Sequence, residues 1–443
     1  MDKDVVLTIG GFDTGNGAGV ESDLKTLESI GVHGIGVQTA ITFQNSLGIR
    51  GIFPIPEEVL AKQIEVLKED FDFPYAKTGM IYTGGQARIV RQLLTDKKFV
   101  VDPVIIAKDG TTLIKDFDEY TKYIVKDSLA ITPNVPEAEK LTGVRITDVD
   151  TMKVAARKIY DVFNVRNIII KGGHLPLNEV VDILFTEEEV VEFRHKRSIR
   201  NTVHGTGSAL ASYLAGFLAQ GYSVKDGLRK SIELMEIGIE FSKTPGLGNS
   251  VFQPLAHLHR ERARWKTYVN MLEIDNFVAN KRGFYKLIPE VQSNIAHASD
   301  PRYVIDLCDI ATFKGRITKY GDDQVKVNNP PVFCRTTHTA RLLHSLIGNG
   351  INAVILMNIR FDEGILEAFR KLGYVPLEIN REEEPSGPEG GTMAWIGKIV
   401  ANSQSLSNVI FDRGMKGKEA MIRFWERDVD KFLKTLNSVV EMI

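Results

Sequence analysis

Four consecutive residues, Gly205-Thr206-Gly207-Ser208, have the plainest capacity for chemistry in this chain of 443 residues. The Gly-rich turn runs straight into an apolar stretch, Ala209 to Leu218, whose length and composition predict a helix. Free backbone N–H groups at the positive end of that helix dipole would hold the charge of a transferring phosphoryl group. A second Gly-rich segment, GGFDTGNGAG at 10–19, follows a predicted strand. It does not read as a dinucleotide fingerprint, because the next strand ends at Gln38 with no acidic residue to hold a ribose. Such a loop can instead let a small ring lie against the backbone, with Asp23 and Gln44 supplying hydrogen bonds to its polar edge. Far along the chain, DRGMKGKE at 412–419 sets two glycines among Arg413, Lys416 and Lys418. That combination can wrap a phosphate with N–H groups and cations. Taken singly, each of these residues also fits an ordinary turn or a solvated surface side chain.

The elements that must position these groups follow from periodicity. Strands are predicted at Val5–Ile9, Val32–Val37, Phe99–Val101, Leu129–Ile131 and Asn167–Ile170. Helices are predicted at Val20–Ser29, Glu57–Lys68, Thr151–Phe163, Ser208–Ala219 and Val224–Ser242. This alternation predicts an α/β fold, a mostly parallel sheet with helices on both faces. The pattern breaks at KTPGLGNS and again at the basic HLHRERARWK, which places a domain boundary near 245–265 and domains at 1–250 and 265–443. The second, smaller α/β domain has strands predicted at Ala353–Met357, Val375–Ile379 and Val409–Phe411, and REEEPSGPEGG at 381–391 reads as a long exposed loop.

Composition narrows the partners. With 55 basic against 57 acidic residues the net charge is -2, which gives no footing for general nucleic-acid or anionic-membrane binding. No helix-turn-helix pattern is present, no segment approaches a membrane span, and the apolar run in MDKDVVLTIGG is too short for a signal peptide. Two cysteines, Cys308 and Cys334, lack metal-ligand spacing and are too few for a disulfide framework, so a cytoplasmic protein is expected.

Seven pieces occur in one order: LTIGGFDTGNGAGVESDLKT, TAITFQN, KTGM at 77–80, VVDPV at 100–104, TPNVPEAEKLTG at 132–143, IKGGH at 170–174 and HGTG at 204–207. Together they make residues 1–245 resemble the hydroxymethylpyrimidine (phosphate) kinases of the ribokinase-like fold. The resemblance implies pyrimidine contacts from Gly11, Asp23, Gln44 and Met80, ATP contacts from Lys171 and Asn134, and Mg²⁺ organised by Asp102 and Glu137. It makes the turn Gly205-Thr206-Gly207 the anion hole, and a homo-oligomer, with a dimer favoured, is expected. Ser208 departs from the pattern, since the family has Cys or Asp there. A serine hydroxyl without a partner is too weak a base near neutrality, so phosphorylation of an alcohol is expected to suffer more than that of a phosphate. His204, beside the turn, reads as structural.

Polar segments are dense after residue 270: LIPEVQSN, GRI, RTTHTAR, MNIR, REEE, GTMAW and FDRGMKGKEAMIR. From about Tyr268 they resemble the archaeal-type thiamine-phosphate synthase domain, which joins hydroxymethylpyrimidine diphosphate to a thiazole phosphate. The resemblance implies His338 as the polar catalytic group, Arg316 as a pyrophosphate clamp, and Arg341, Asn358, Arg413, Lys416 and Lys418 as substrate contacts. Arg360 and Arg381 read as ordinary surface cations. Two other functions fit parts of the pattern: a kinase with a silent, thiamine-phosphate-sensing C-terminal domain, and a pyridoxine-type kinase, which shares the HGTG turn.

Overall fold

In the computed structural model, residues 4–106, 110–198, 203–321, 323–384, 391–403, 407–415 and 417–443 are described. The chain divides into two units, Met1–His257 and Leu258–Ile443. In the first, β-branched runs form the strands β1 (Val5–Asp13), β2 (His33–Asn45), β3 (Gly48–Pro54), β4 (Tyr75–Thr78), β5 (Lys98–Val101), β6 (Ala130–Ile131), β7 (Asn167–Ile170), β8 (Glu179–Phe185) and β9 (Val190–Lys196). Among the described residues they make one sheet in the order β3-β2-β1-β4-β5-β6-β7-β8-β9. The pairs from β2 through β1 and β4 to β7 are parallel, and β3, β8 and β9 add antiparallel edges. Strands β10 (Val203–His204) and β11 (Ser250–Val251) form a separate parallel pair.

Alternation along the strands builds two cores. Leu7, Ile9, Val101, Ile168 and Ile170 pack on one face, while Val6, Val100 and Ile169 pack on the other. The helices of this unit are α1 (Gly19–Ser29), α2 (Glu57–Asp70), α3 (Gly84–Leu93), α4 (Phe117–Tyr120), α5 (Val135–Thr142), α6 (Val149–Phe163), α7 (Thr206–Ala219) and α8 (Val224–Glu240). Helix α7 is buried on nearly every side from Ala209 to Leu218, as an apolar helix with no polar face must be. Parallel strands end at a common edge, so Gly79 and Met80 after β4, Asp102 after β5, and Lys171 after β7 all emerge there.

The second unit begins with a helix where the sequence shows a break. HLHRERARWK lies inside α9 (Ala256–Asn280), because no Gly or Pro interrupts 256–280 and its Ala, Leu, Arg and Lys are good helix formers. Arg260 in its second turn grips the buried Asp309 through two hydrogen bonds, 2.7 and 3.0 Å. The first unit likewise runs past residue 250, since β11 reaches Val251 and Phe252 is buried.

Further strands are β12 (Ile295–His297), β13 (Ala311–Phe313), β14 (Ile317–Tyr320), β15 (Gln324–Val327), β16 (Pro331–Val332), β17 (Ile355–Arg360), β18 (Leu377–Glu378), β19 (Val409–Asp412) and β20 (Met421–Glu426). Seven of them form a sheet in the order β16-β13-β12-β17-β20-β19-β18, and β14 pairs with β15. Every neighbouring pair in it is antiparallel except β18–β19. Helices α10 (His338–Gly348) and α12 (Gly391–Asn402) cover one face, and α11 (Glu363–Lys371) and α13 (Val429–Met442) the other. The expected loop 381–391 is a short 3₁₀ turn at Arg381–Glu383 and then, from Gly391, the start of α12; residues 385–390 lie outside the described set. Cys308 and Cys334, too few for a disulfide framework, are joined by a single disulfide, because their segments run side by side with Cys334 N–H donating to the Leu307 carbonyl at 3.3 Å. No described helix is long and apolar enough to cross a membrane.

Candidate active sites

The loop after β1 is organised by its own aspartate. Asp13 accepts from the backbone N–H of Gly15 (2.8 Å), Gly17 (3.1 Å) and Ala18 (2.9 Å), and its second oxygen also meets His204 Nε2 at 3.1 Å. Burial pushes its pKa up, but the His204 contact and these N–H groups outweigh it and hold Asp13 below the usual range. The two Gly-rich turns interlock here. A Cβ on Gly17 would strike the His204 ring at 2.3 Å, and one on Gly205 would lie 1.9 Å from the Gly17 carbonyl oxygen. Gly205 caps α7 with φ 89°, a conformation that glycine adopts without strain. Gln44 joins the cluster through its amide, 3.2 Å from Asp13 and 3.0 Å from His204. Gly11 faces Met80, whose Sδ would be 3.1 Å from a Cβ at that position. Four of the expected residues, Gly11, Gln44, Met80 and Gly205, are thus brought to one edge.

Asp23 is elsewhere, and the expectation that it hydrogen-bonds a ring is corrected by its surroundings. Its side chain is 1 % exposed and forms an ion pair with the equally buried Lys77 at 2.8 Å. Thr8 donates to it at 2.5 Å, Ser212 at 2.8 Å and Ser208 at 2.7 Å. No face of the carboxylate is left for a ring. Lys77 also donates to Ser208 Oγ at 2.9 Å. The sequence does signal Lys77: a lysine inside the apolar strand YAKT has to find a buried partner.

At the same strand edge Lys171 Nζ lies 3.2 Å from Asp102. A Cβ on Gly207 would sit 3.1 Å from that Nζ and 3.6 Å from both Asp102 carboxylate oxygens, so the first turn of α7 looks onto this pair. Burial raises the Glu137 carboxyl to about 7; Lys171 pulls it down and Asp102 pushes it up. Burial opposes the charge on Lys171, but Asp102 and Glu137 outweigh it and keep its pKa raised. Glu137 closes a capping box with Asn134 (2.8 and 2.9 Å), so Asn134 is committed to the start of α5 through its side-chain oxygen. The phenol of Tyr120 is buried with no hydrogen-bond partner among the described residues, and burial, Asp102 and Glu137 push its pKa well up. No group of three or more His, Cys, Asp or Glu forms a protein cage among the described residues. Two repelling hard carboxylates beside an orphaned phenol suit a divalent cation that keeps its waters.

In the second unit His338 opens α10, with Thr337 as its N-cap. Burial, followed by Arg341, Arg423, Arg316 and Arg381, depresses its pKa and so favours the neutral imidazole. Four positive charges therefore act on one histidine, an electrostatic setting suited to a polyanionic ligand. Arg316 donates to the Val291 carbonyl, while Arg341 Nε and Arg381 Nε and Nη1 are buried without hydrogen-bond partners among the described residues. Arg381 and Arg423, missed or set aside in the sequence, border the buried Asp412, which Arg423 contacts at 2.8 Å.

Three of the other expected substrate contacts have different work. Asn358 spends its amide on Asn294 N–H (2.8 Å) and the Gln292 carbonyl (3.0 Å), fixing the neighbouring segment. Arg413 is held by Glu378 (2.8 Å) and Glu363 (3.1 Å) and lies over the Phe361 and Phe411 rings. Lys418 is exposed and paired with Glu384 at 3.3 Å, and Lys416 lies outside the described residues. The carboxylates that neutralise these cations come from distant segments, which is why the basic turn looked free in the sequence.

Residues 13–253 match the profile of phosphomethylpyrimidine kinase, and residues 270–438 that of thiamine-phosphate synthase ThiN. The thiamine biosynthesis bifunctional protein ThiED of Geobacter sulfurreducens is 36% identical over 261 residues, 57% of this chain and 52% of that protein. The chain thus spans about half the length of that bifunctional relative. The hydroxymethylpyrimidine/phosphomethylpyrimidine kinase of Bacillus subtilis is 36% identical over 249 residues, 55% of this chain and 91% of that protein. Among solved structures, an ADP complex of Bacillus subtilis pyridoxal kinase aligns with TM-score 0.53 and 26% identity, covering 57% of this chain and 98% of that one.

Proposed function

Because the chain belongs to the phosphomethylpyrimidine kinase family, we propose that its first unit phosphorylates hydroxymethylpyrimidine and its monophosphate to the diphosphate with ATP. In the same reading the second unit condenses that diphosphate with a thiazole phosphate, giving thiamine phosphate and pyrophosphate. The domains proposed for the two steps are residues 1–257 and 258–443, wider than the expected 1–250 and 265–443 because β11 ends at Val251 and α9 starts at Ala256. The observation that carries the kinase step is the meeting of Gly207, Lys171 and Asp102 at the N-terminus of α7. There the helix N–H groups and Lys171 would hold the phosphoryl group in flight, and the shelf of Gly11 and Met80 would seat the pyrimidine. Asp102 and Glu137 would hold Mg²⁺ through its waters, supplying charge neutralisation at the phosphates. The turn and Lys171 need only align an already ionised monophosphate, whereas the alcohol must also lose a proton.

For the second step, His338 and the arginines around it support the reading. Departing pyrophosphate leaves positive charge on the aminopyrimidine methylene, so holding the leaving group and aligning the thiazole nitrogen are the main demands. The neutral imidazole would hydrogen-bond within that site, and Arg316, Arg341, Arg381 and Arg423 would bear the diphosphate. A cytoplasmic location, which supplies ATP, and a homodimer belong to the same proposal; a Cys308–Cys334 bond would face a reducing milieu there. One assay tests the whole reading: purified protein with hydroxymethylpyrimidine, ATP, Mg²⁺ and thiazole phosphate, followed for thiamine phosphate. Accumulation of diphosphate without thiamine phosphate, together with binding of thiamine phosphate, would favour a sensing C-terminal unit. Phosphorylation of pyridoxine in preference to hydroxymethylpyrimidine would overturn the choice of acceptor.

A further inference from the structure

Lys77 and Asp23 form an ion pair whose side chains are each 1 % exposed, and none of the groups assigned above to ATP or the pyrimidine touches it. Burying two charges is costly unless their mutual attraction and added hydrogen bonds offset the lost hydration. Thr8 and Ser212 supply two of those bonds from the protein interior. The remaining one leads outward. Ser208, half-buried in the first turn of α7, donates to Asp23 Oδ1 at 2.7 Å and accepts from Lys77 Nζ at 2.9 Å. A serine hydroxyl has one proton and two lone pairs. Asp23 takes the proton, Lys77 takes one lone pair, and the second lone pair is left for a hydroxyl donor at the anion hole.

We propose that Ser208 and Asp23 form a proton relay for an alcohol acceptor, so that the serine in this chain passes on a proton it could not keep. The proposal rests on the kinase reading. As the hydroxymethyl oxygen attacks the γ-phosphorus of ATP, its O–H bond breaks and its proton goes to Ser208 Oγ. The proton already on Ser208 moves at the same time to Asp23 Oδ1. The new O–P bond forms while the bond from the γ-phosphorus to the bridging oxygen breaks, and ADP leaves with that electron pair. Asp23 becomes neutral, which leaves the Lys77 charge uncompensated behind the anion hole, where negative charge is accumulating. Ser208 touches the substrate. Asp23 is a positioning residue that acts through it, and Lys77 fixes the orientation of the hydroxyl. An acceptor that is already a phosphate has no proton to surrender and does not use the relay.

The test uses the full chain and compares kcat and KM for hydroxymethylpyrimidine and for its monophosphate. Ser208→Ala and Asp23→Asn are expected to lower kcat for the alcohol by roughly 10²-fold, at little change in KM, and for the monophosphate by less than tenfold. Ser208→Cys, which restores a group able to take the proton itself, is expected to recover most of the alcohol rate lost in Ser208→Ala. Asp23→Asn breaks a buried ion pair, so thermal melting accompanies it, and if it fails to fold then Ser208→Ala, which keeps that pair intact, decides alone. Equal losses with both acceptors in Ser208→Ala would make the serine a structural group and overturn the relay, as would an undiminished alcohol rate. A wild-type protein that phosphorylates neither acceptor would instead overturn the kinase reading itself.

Discussion

Glu137 shows how one buried carboxyl can report on the site around it. Burial lifts its pKa from the ordinary 4.5 to about 7, against the pull of Lys171 and with a push from Asp102. Between those two values the unfolded chain has lost the proton and the folded chain has kept it. The folded state binds more protons, so this group's contribution to stability falls as pH rises through the window and stays low above it. Glu137→Gln is expected to flatten the decline in melting temperature between pH 5 and pH 8, by on the order of a few degrees. Added Mg²⁺ should raise the melting temperature of the wild type at pH 8 more than that of Glu137→Gln; an equal rise would remove Glu137 from the cation site. His338 makes the corresponding case in the second unit. Arg316 is among the arginines that depress its pKa, and a diphosphate would take up the same charge, so Arg316→Ala and His338→Ala should each lower the synthase rate by roughly 10²–10³. Kinase turnover measured on the same proteins should not change, and wild-type synthase rates in both would take these residues out of the site.

At the scale of elements, the two glycines of the turn into α7 separate geometry from chemistry. Gly205 has φ 89°, and a Cβ there would meet a backbone carbonyl oxygen at 1.9 Å, which cannot move without opening the first loop. Gly205→Ala is expected to cost at least about 1–2 kcal/mol from the backbone conformation alone, seen as a lower melting temperature together with lost kinase activity. Gly207 has no such strain. A Cβ there would meet the far end of the Lys171 side chain at 3.1 Å, and a flexible ammonium can shift. Gly207→Ala should therefore melt close to wild type while its phosphoryl transfer falls by about 10²-fold, because Lys171 is displaced. If both substitutions destabilise alike, the turn is a packing feature before it is an anion site.

The whole chain offers a test of separability. A fragment ending at Lys243 would lose β11 and the buried Phe252, and one beginning at Arg264 would lose the Arg260 grip on Asp309. Removing a buried Phe, or one partner of a buried pair, costs about 3–5 kcal/mol in either case. Fragments 1–257 and 258–443 keep both features and are expected to melt cooperatively, each retaining one activity. The shorter pair should melt at lower temperature or fail to fold. If fragment 258–443 folds yet makes no thiamine phosphate from supplied diphosphate and thiazole phosphate, the second unit senses its ligand instead of using it.

Features that depend on a few neighbouring residues could be read from the sequence. The Gly-rich turn before an apolar run at 205–218, the strand–helix alternation of the first unit, and the order of motifs from LTIGG to HGTG were all local in this sense. The helical HLHRERARWK was legible too, from its lack of Gly and Pro, although its dense charge is also that of a linker. The commitments of individual polar atoms could not be read, because partners far apart in the chain settle them. Asp23 meets Lys77 54 positions away and Ser208 185 positions away, and those partners turn an expected ring contact into a buried relay. Arg413 is neutralised by Glu363 and Glu378, and Asn358 is spent on the backbone at 292–294. The antiparallel pairing of the second sheet and the charge that four arginines bring to bear on His338 are likewise set by which segments lie side by side. A residue's type gives the hydrogen bonds and charge it can offer. Only packing determines which group takes them up, because a buried polar atom must pair with whatever the fold brings within reach.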